Sequence, residues 1–166
     1  MKKIILLLLI SSISSYGQIV YKKKLALIGS PFEITVIAKD TIEGNEYVNL
    51  AVGEVKRIEN LISDWIPTTQ ISQVNQNSGI KPIKVDDEVF NLVERALKIS
   101  KITHGAFDIS YASMDKIWKF DGSMKEMPTP EAIKKSVERI GYQKIVLDKQ
   151  KSTIFLKDVG MKLGLG

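Results

Sequence analysis

Apolar and polar residues alternate with period two over Phe32-Glu33-Ile34-Thr35-Val36, and the β-branched residues among them predict a strand. Tyr21 to Leu27 is its antiparallel partner, and Pro31 opens the second strand, where a missing N–H is tolerated. The period then changes. Val48, Ala51, Val52, Val55, Ile58 and Ile62 recur at helical spacing and predict an amphipathic helix from about Glu43 to Leu61, with Pro67 barring any continuation. Residues 66–80 are polar, pinned only by Ile71 and Val74, and predict a long loop of the kind that is often functional. A second helix is capped by Asp86, buries Val89, Val93, Ala96 and Leu97, and runs to about Ile102. Thr129-Pro130-Glu131 starts a third, which ends at Gly141. Ile145-Val146-Leu147 and Thr153 to Leu156 flank Asp148 to Ser152 as a β-hairpin, and Val159 to Leu165 opens another strand. The fold class is α+β, with mixed or antiparallel sheets and interspersed helices.

The first 17 residues stand apart from this pattern. Lys2 and Lys3 precede the apolar run Ile4 to Ile10, and Ser11 to Gly17 is small and polar. The run is too short to span a bilayer. It reads as a secretory signal peptide over residues 1–17, cleaved between Gly17 and Gln18, against the alternatives of an anchor helix or a buried strand. Residues 18–166 are then one domain. The expected location is outside the cytoplasmic membrane, periplasmic or beyond, as a soluble rather than membrane-spanning protein.

Composition narrows the chemistry. Hydrophobic residues make up 44% and charged ones 26%, enough to bury a core and too balanced for disorder. Two lysines leave with residues 1–17, so the net charge falls from +5 to +3. Lys22-Lys23-Lys24 suits a solvated strand edge, and no aromatic-interleaved basic stripe marks a nucleic-acid partner. The absence of cysteine excludes a disulfide framework, a thiolate metal site, a Cys nucleophile and a lipid-bearing Cys after the signal. His104 is the one histidine, so any metal would be hard and oxygen-held, which suits magnesium.

The candidate chemistry lies in Thr103-His104-Gly105-Ala106-Phe107-Asp108-Ile109-Ser110, where a helical pattern meets an extended one. Glycine lets the backbone bend or approach a ligand, Phe offers an apolar ring, and Asp a fixed anionic acceptor. The junction suits a planar, polar-edged ligand. A buried Phe beside an Asp-capped turn is the structural alternative.

The chain resembles the ApbE family, the FAD:protein FMN transferases, at five ordered places. These are Ile28 to Phe32, Ser63-Asp64-Trp65 through Ser72-Gln73-Val74-Asn75, Thr103 to Ser110, Ile117-Trp118-Lys119-Phe120, and Lys162 to Gly166. Together they cover roughly residues 25–166, and the Thr-x-Gly-Ala-Phe-Asp element is the most specific. The resemblance implies an ApbE-like, T-fold-related domain that continues past Gly166. It implies transfer of FMN from FAD to a Thr or Ser hydroxyl of an acceptor protein, a respiratory or electron-transfer subunit for example, with release of AMP. Mg²⁺ would be held by residues beyond 166, and no catalytic residue is assigned.

The same resemblance implies cofactor contact by Ile28, Trp65, Ala106, Phe107, Asp108 and Gly164. Trp65 stands at a family Tyr position and can stack on a ring, or close the end of the first helix. Asp108 can accept from the ligand or orient the loop; Phe107 is either pocket wall or core. Ile28 replaces a family Met and Gly164 a family Asp, so glycine cannot supply that carboxylate. Ser72 and Asn75 order the polar loop or line the pocket, Trp118 and Phe120 read as core, and His104 as an exposed helix-end residue. A flavin-binding or scavenging module without transferase activity, and an inactive fragment, are the alternatives. Residues 18–166 alone are expected to be aggregation-prone, ending inside a strand, and unable to transfer FMN.

Overall fold

The structure is a computed structural model and describes residues 17–165. The expected leader and Gly166 therefore fall outside the described residues, except for Gly17. The chain divides into two compact units, residues 1–57 and 58–166.

In the first unit β1 (Ile19–Leu27) pairs antiparallel with β2 (Ser30–Ala38), in a register from Ile19 opposite Ala38 to Leu27 opposite Ser30. Both strands alternate exposed and half-buried positions, as their period-two sequence requires. Ile28 and Gly29 form the two-residue turn, at φ 50° and 65°. Positive φ at both positions matches the twist of a hairpin but is strained for a β-branched residue. The first helix, α1 (Thr41–Ile62), begins in this unit, ends in the next, and extends the expected span by a few residues. Asp40 Oδ1 accepts from the Glu43 N–H at 2.9 Å while Glu43 accepts from the Lys39 N–H at 2.7 Å, a reciprocal cap. Gly44 is required: a Cβ there would meet the Tyr21 ring at 2.6 Å.

In the second unit Ile71, Val74, Val89, Val93, Ile109, Ile154, Met161 and Leu163 anchor a single buried cluster. A three-stranded antiparallel sheet of order β3-β5-β4 supplies one side, built from β3 (Ile83–Lys84), β4 (Ile145–Asp148) and β5 (Thr153–Leu156). The β4–β5 hairpin is the expected one, its turn pinned by Asp148 Oδ1 accepting from the N–H groups of Gln150 and Lys151.

Residues 66–80 are not the long loop expected. They contain α2 (Gln70–Gln76), whose N-cap Thr69 accepts from the Ser72 N–H at 3.1 Å and which buries Ile71, Ser72 and Val74. Two apolar residues three apart, behind a capping Thr, suffice to fold a helix of two turns. The next helix, α3 (Asp87–Ile102), buries Val89, Phe90, Val93, Ala96 and Ser100, with Leu97 half-buried against the cluster. Asp86 sits at its N-cap without a side-chain cap bond; it exchanges two 2.7 Å hydrogen bonds with the Gln70 carboxamide instead.

The third expected helix is shorter than read. α4 (Pro130–Ser136) keeps the Thr129 cap but stops before Gly141, because Ile133 and Val137 remain exposed and no apolar stripe supports further turns. Residues 159–165 form no strand. Phe120 is 94% exposed, not core, on an irregular segment, and Trp118 is half-buried. No helix among the described residues is long and apolar enough to cross a membrane.

Candidate functional site

The Thr103–Ser110 junction begins with a Schellman stop. After α3 the His104 N–H donates to Lys101 O and the Gly105 N–H to Ser100 O, with φ 52° and 85° at the two residues. His104 is exposed, as expected. Thr103 Oγ1 donates to Ile99 O at 2.9 Å and accepts from the Phe107 N–H at 3.1 Å. Asp108 then caps a 3-10 turn, Ile109–Ser113.

The Asp108 carboxylate is engaged within the protein. Its Oδ1 accepts from the Ser110 N–H and Oγ, at 2.8 and 2.7 Å, and its Oδ2 accepts from the Tyr142 N–H at 2.8 Å. Ser110 Oγ in turn accepts from the Gly141 N–H at 2.8 Å. Of the two readings of Asp108, these bonds favour the loop-orienting one. Residues 160–164 are stitched on by side chains: Asn75 to Leu163, Ser113 Oγ to both polar backbone groups of Lys162, and Ser78 Oγ to the Gly160 N–H. The Gly164 N–H donates to Ile109 O at 2.9 Å. This bonding stands where a strand was expected.

Two clefts open beside this framework. The first, about 950 Å³, is lined by Gly105, Ala106, Phe107, Asp108, Tyr111 and Gly164 together with Leu92, Arg95 and Ile99. The second, about 580 Å³, is lined by Asp64, Trp65, Asn75, Tyr111, Lys116 and Lys162. Four of the expected contact residues therefore converge: Ala106, Phe107, Asp108 and Gly164 share the first cleft. Phe107 is wall rather than core. Trp65 lies in the second cleft, 77% exposed, with Lys116 Nζ 5.2 Å from its ring centroid. Asn75 and Ser72 line that cleft, and both also order their segment. Ile28 belongs to the first unit, in the β1–β2 turn.

Sequence reasoning missed Tyr111, Arg95 and Lys116. Leu92, Arg95, Ala96 and Ile99 repeat at helical spacing on α3, a second stripe whose exposed Leu92 and Ile99 have no place in the core. Among the described residues no group of three or more His, Cys, Asp or Glu side chains is placed to hold a metal ion.

The model of the ApbE family matches residues 28–166. A FAD:protein FMN transferase from Klebsiella pneumoniae is 26% identical over 147 residues, covering 89% of this chain and 45% of that protein. One from Treponema pallidum is 29% identical over 101 residues, covering 58% of this chain and 28% of that protein. Among solved structures, an ApbE protein from Thermotoga maritima has a TM-score of 0.75 at 22% identity, covering 89% of this chain and 47% of that one. The flavin transferase ApbE from Vibrio cholerae has a TM-score of 0.71 at 16% identity, covering 89% and 48%. The chain thus spans less than half the length of these relatives.

Proposed function

The chain belongs to the ApbE family, and on that premise we propose that the protein is an FAD:protein FMN transferase whose FAD lies across the two clefts of the second unit. The observation that carries this reading is that the clefts share one wall residue, Tyr111, and that each presents a second exposed aromatic, Phe107 in one and Trp65 in the other. A ligand with two planar ends joined by a charged link fits such a pair. Aromatic faces take the rings, and Lys116 and Lys162 beside the second cleft favour an anionic linker.

The reaction is a displacement at phosphorus. A Thr or Ser hydroxyl oxygen of the acceptor protein bonds to the FMN-side phosphorus of FAD, and the bond from that phosphorus to the bridging oxygen breaks. AMP leaves with that oxygen, and the hydroxyl proton goes to solvent or a base. A magnesium ion, where bound, would supply charge neutralisation at the diphosphate. The described residues bind and orient: Thr103 accepts from the N–H groups of Ala106 and Phe107, Asp108 and Ser110 tie the turn that follows to Gly141 and Tyr142, and the Schellman stop fixes where that loop begins. Export from the cytoplasm is part of the proposal, on the strength of Lys2, Lys3 and the apolar run that follows.

The test is to incubate the full-length protein with FAD, Mg²⁺ and a flavinylatable acceptor, and to look for covalent flavin fluorescence on a denaturing gel. A fluorescent acceptor band above the no-enzyme control is expected. FAD binding without transfer would leave a flavin-binding module, and no binding would overturn the reading. N-terminal sequencing of exported protein tests the leader; a chain still beginning at Met1 would overturn export.

A further inference from the structure

Tyr111 is the residue whose position the loop bonding explains and whose side chain it does not. Its backbone is fixed in the 3-10 turn, with the Tyr111 N–H donating to Asp108 O and the Met114 N–H to Tyr111 O. Its side chain is free: the residue is 57% exposed, and its hydroxyl has no hydrogen-bond partner among the described residues. The ring lies on the backbone of Gly164. A Cβ at 164 would sit 2.9 Å from the Tyr111 hydroxyl oxygen and 3.0 Å from Cε1 and Cζ, and these are the three atoms nearest to it. Gly164 is itself buried. The missing side chain at 164 thus makes the seat for the ring, and the seated ring borders both clefts.

An exposed aromatic held by its backbone at the seam of two clefts is arranged to meet a ligand. We propose that Tyr111 is a ligand-contacting residue, an aromatic platform seated by Gly164 that stacks on one planar ring of the bound flavin dinucleotide. The proposal rests on the flavin reading of the clefts. The phenol offers one ring face and one donor that is not used among the described residues. The platform is specified by two positions together, because a side chain at 164 would displace the ring.

The test is equilibrium binding of FAD, riboflavin and AMP to the full-length protein and to folded variants, with circular dichroism and melting temperature as controls. Tyr111→Ala is expected to weaken FAD binding roughly three- to tenfold, from loss of stacking. Tyr111→Phe is expected to bind like the parent, and Tyr111→Leu like Tyr111→Ala; the leucine variant decides the matter if the alanine variant does not fold. Gly164→Ala is expected to mimic Tyr111→Ala and to add little on top of it, a non-additivity that a merely structural role would not produce. A loss seen with riboflavin assigns the platform to the isoalloxazine, and a loss seen with AMP assigns it to the adenine; both support it.

Unchanged FAD affinity in both Tyr111→Ala and Tyr111→Leu, in a parent that binds FAD, overturns the platform and leaves the flavin reading standing. A phenylalanine variant as weak as the alanine variant also overturns it, since the hydroxyl and not the ring face would then matter. A parent that binds no FAD, riboflavin or AMP overturns the flavin reading itself, and the platform with it.

Discussion

Asn75 pairs with the backbone of Leu163 as a neighbouring strand would: its Nδ2 donates to Leu163 O at 3.0 Å, and its Oδ1 accepts from the Leu163 N–H at 2.7 Å. One carboxamide thus satisfies both polar backbone groups of a buried residue, 88 positions away in sequence. Asn75→Ala leaves both groups unpaired and should cost about 1–3 kcal/mol. Asn75→Asp should cost no less, because it sets a carboxylate against the Leu163 carbonyl oxygen. Urea denaturation of the variants checks both, and a parent-like midpoint for Asn75→Ala would show that another group holds the segment.

Asp108 answers to the same logic with a charge added. Three donors meet its carboxylate, so Asp108→Ala should destabilise by about 1.5–3 kcal/mol and lower the melting temperature before any ligand is present. Asp108→Asn keeps an acceptor toward Ser110 and should lose less. FAD affinity should fall in step with the loosening of the turn from Asp108 to Ser110 that the carboxylate ties to Tyr142. If Asp108→Ala kept the parent's stability and lost FAD binding, the carboxylate would be a direct ligand contact after all.

Much of this was legible in the sequence. The strands of the first unit, α1, α3 and the β4–β5 hairpin follow from runs whose period is unambiguous, and the Thr-x-Gly-Ala-Phe-Asp junction proved to line a cleft. What failed to show has a common cause, namely side chains standing in for backbone. Thr69 caps a helix inside an apparently polar loop, and Asn75, Ser113 and Ser78 hold a segment that reads as a strand but pairs with none. Such bonds have no periodicity and join residues far apart in the chain. Tyr111 escaped because its neighbour in space, Gly164, is 53 positions along (164 − 111) and carries no side chain to suggest a partner.

Among the described residues three non-glycine residues, Ile28, His104 and Ser152, occupy left-handed backbone, and two of them can be relieved by a better-suited residue. His104 fills the Schellman position that favours glycine, and Ile28 a hairpin turn position that favours asparagine or glycine. His104→Gly and Ile28→Asn should each stabilise by about 1 kcal/mol, or roughly 2–4 °C in melting temperature for a chain of this size. His104→Gly should leave FAD affinity unchanged, since the His104 side chain lines neither cleft. A more stable Ile28→Asn protein that binds FAD more weakly would show that the isoleucine is kept for ligand contact.

Acid should loosen the start of α1. The Lys39 N–H, with the Tyr47 hydroxyl behind it, holds the Glu43 carboxyl below its ordinary value of 4.5. A depressed folded value means that the stabilisation is fully present above 4.5 and is lost as pH falls through the lower folded value. Carbon-detected titration of the Glu43 carboxyl should give a midpoint below 4.5, and the protection of the amides in the first turn of α1, relative to their intrinsic exchange rates, should fall as pH drops below 4.5. In Glu43→Gln that pH dependence should flatten. A Glu43 midpoint at or above 4.5 would remove the cap as its cause.

Trp65 and Lys116 make the sharpest test of the second cleft, because their mutual contact competes with a ligand. Lys116 Nζ stands over the indole face at 5.2 Å, where a stacked ring would lie. A ligand ring taking that face must move the ammonium aside, at a cost of about 0.5–1 kcal/mol for an exposed cation–π pair. Lys116→Ala should therefore leave the affinity for uncharged riboflavin unchanged or slightly raised. FAD carries a diphosphate, and the displaced ammonium then has an anion to meet. For FAD the same variant should bind more weakly, and the difference should shrink as salt is added, because an exposed charge pair is screened over roughly 8–10 Å. Trp65→Ala should weaken FAD binding by about three- to tenfold while barely moving the melting temperature, since the indole is 77% exposed and contributes little to the core. Flavin emission reads both titrations without depending on the removed tryptophan. A Lys116→Ala variant that lost riboflavin and FAD affinity equally would show the lysine to be a ring contact rather than a phosphate contact. A Trp65→Ala variant with parent affinity for every ligand would take the second cleft out of flavin recognition altogether.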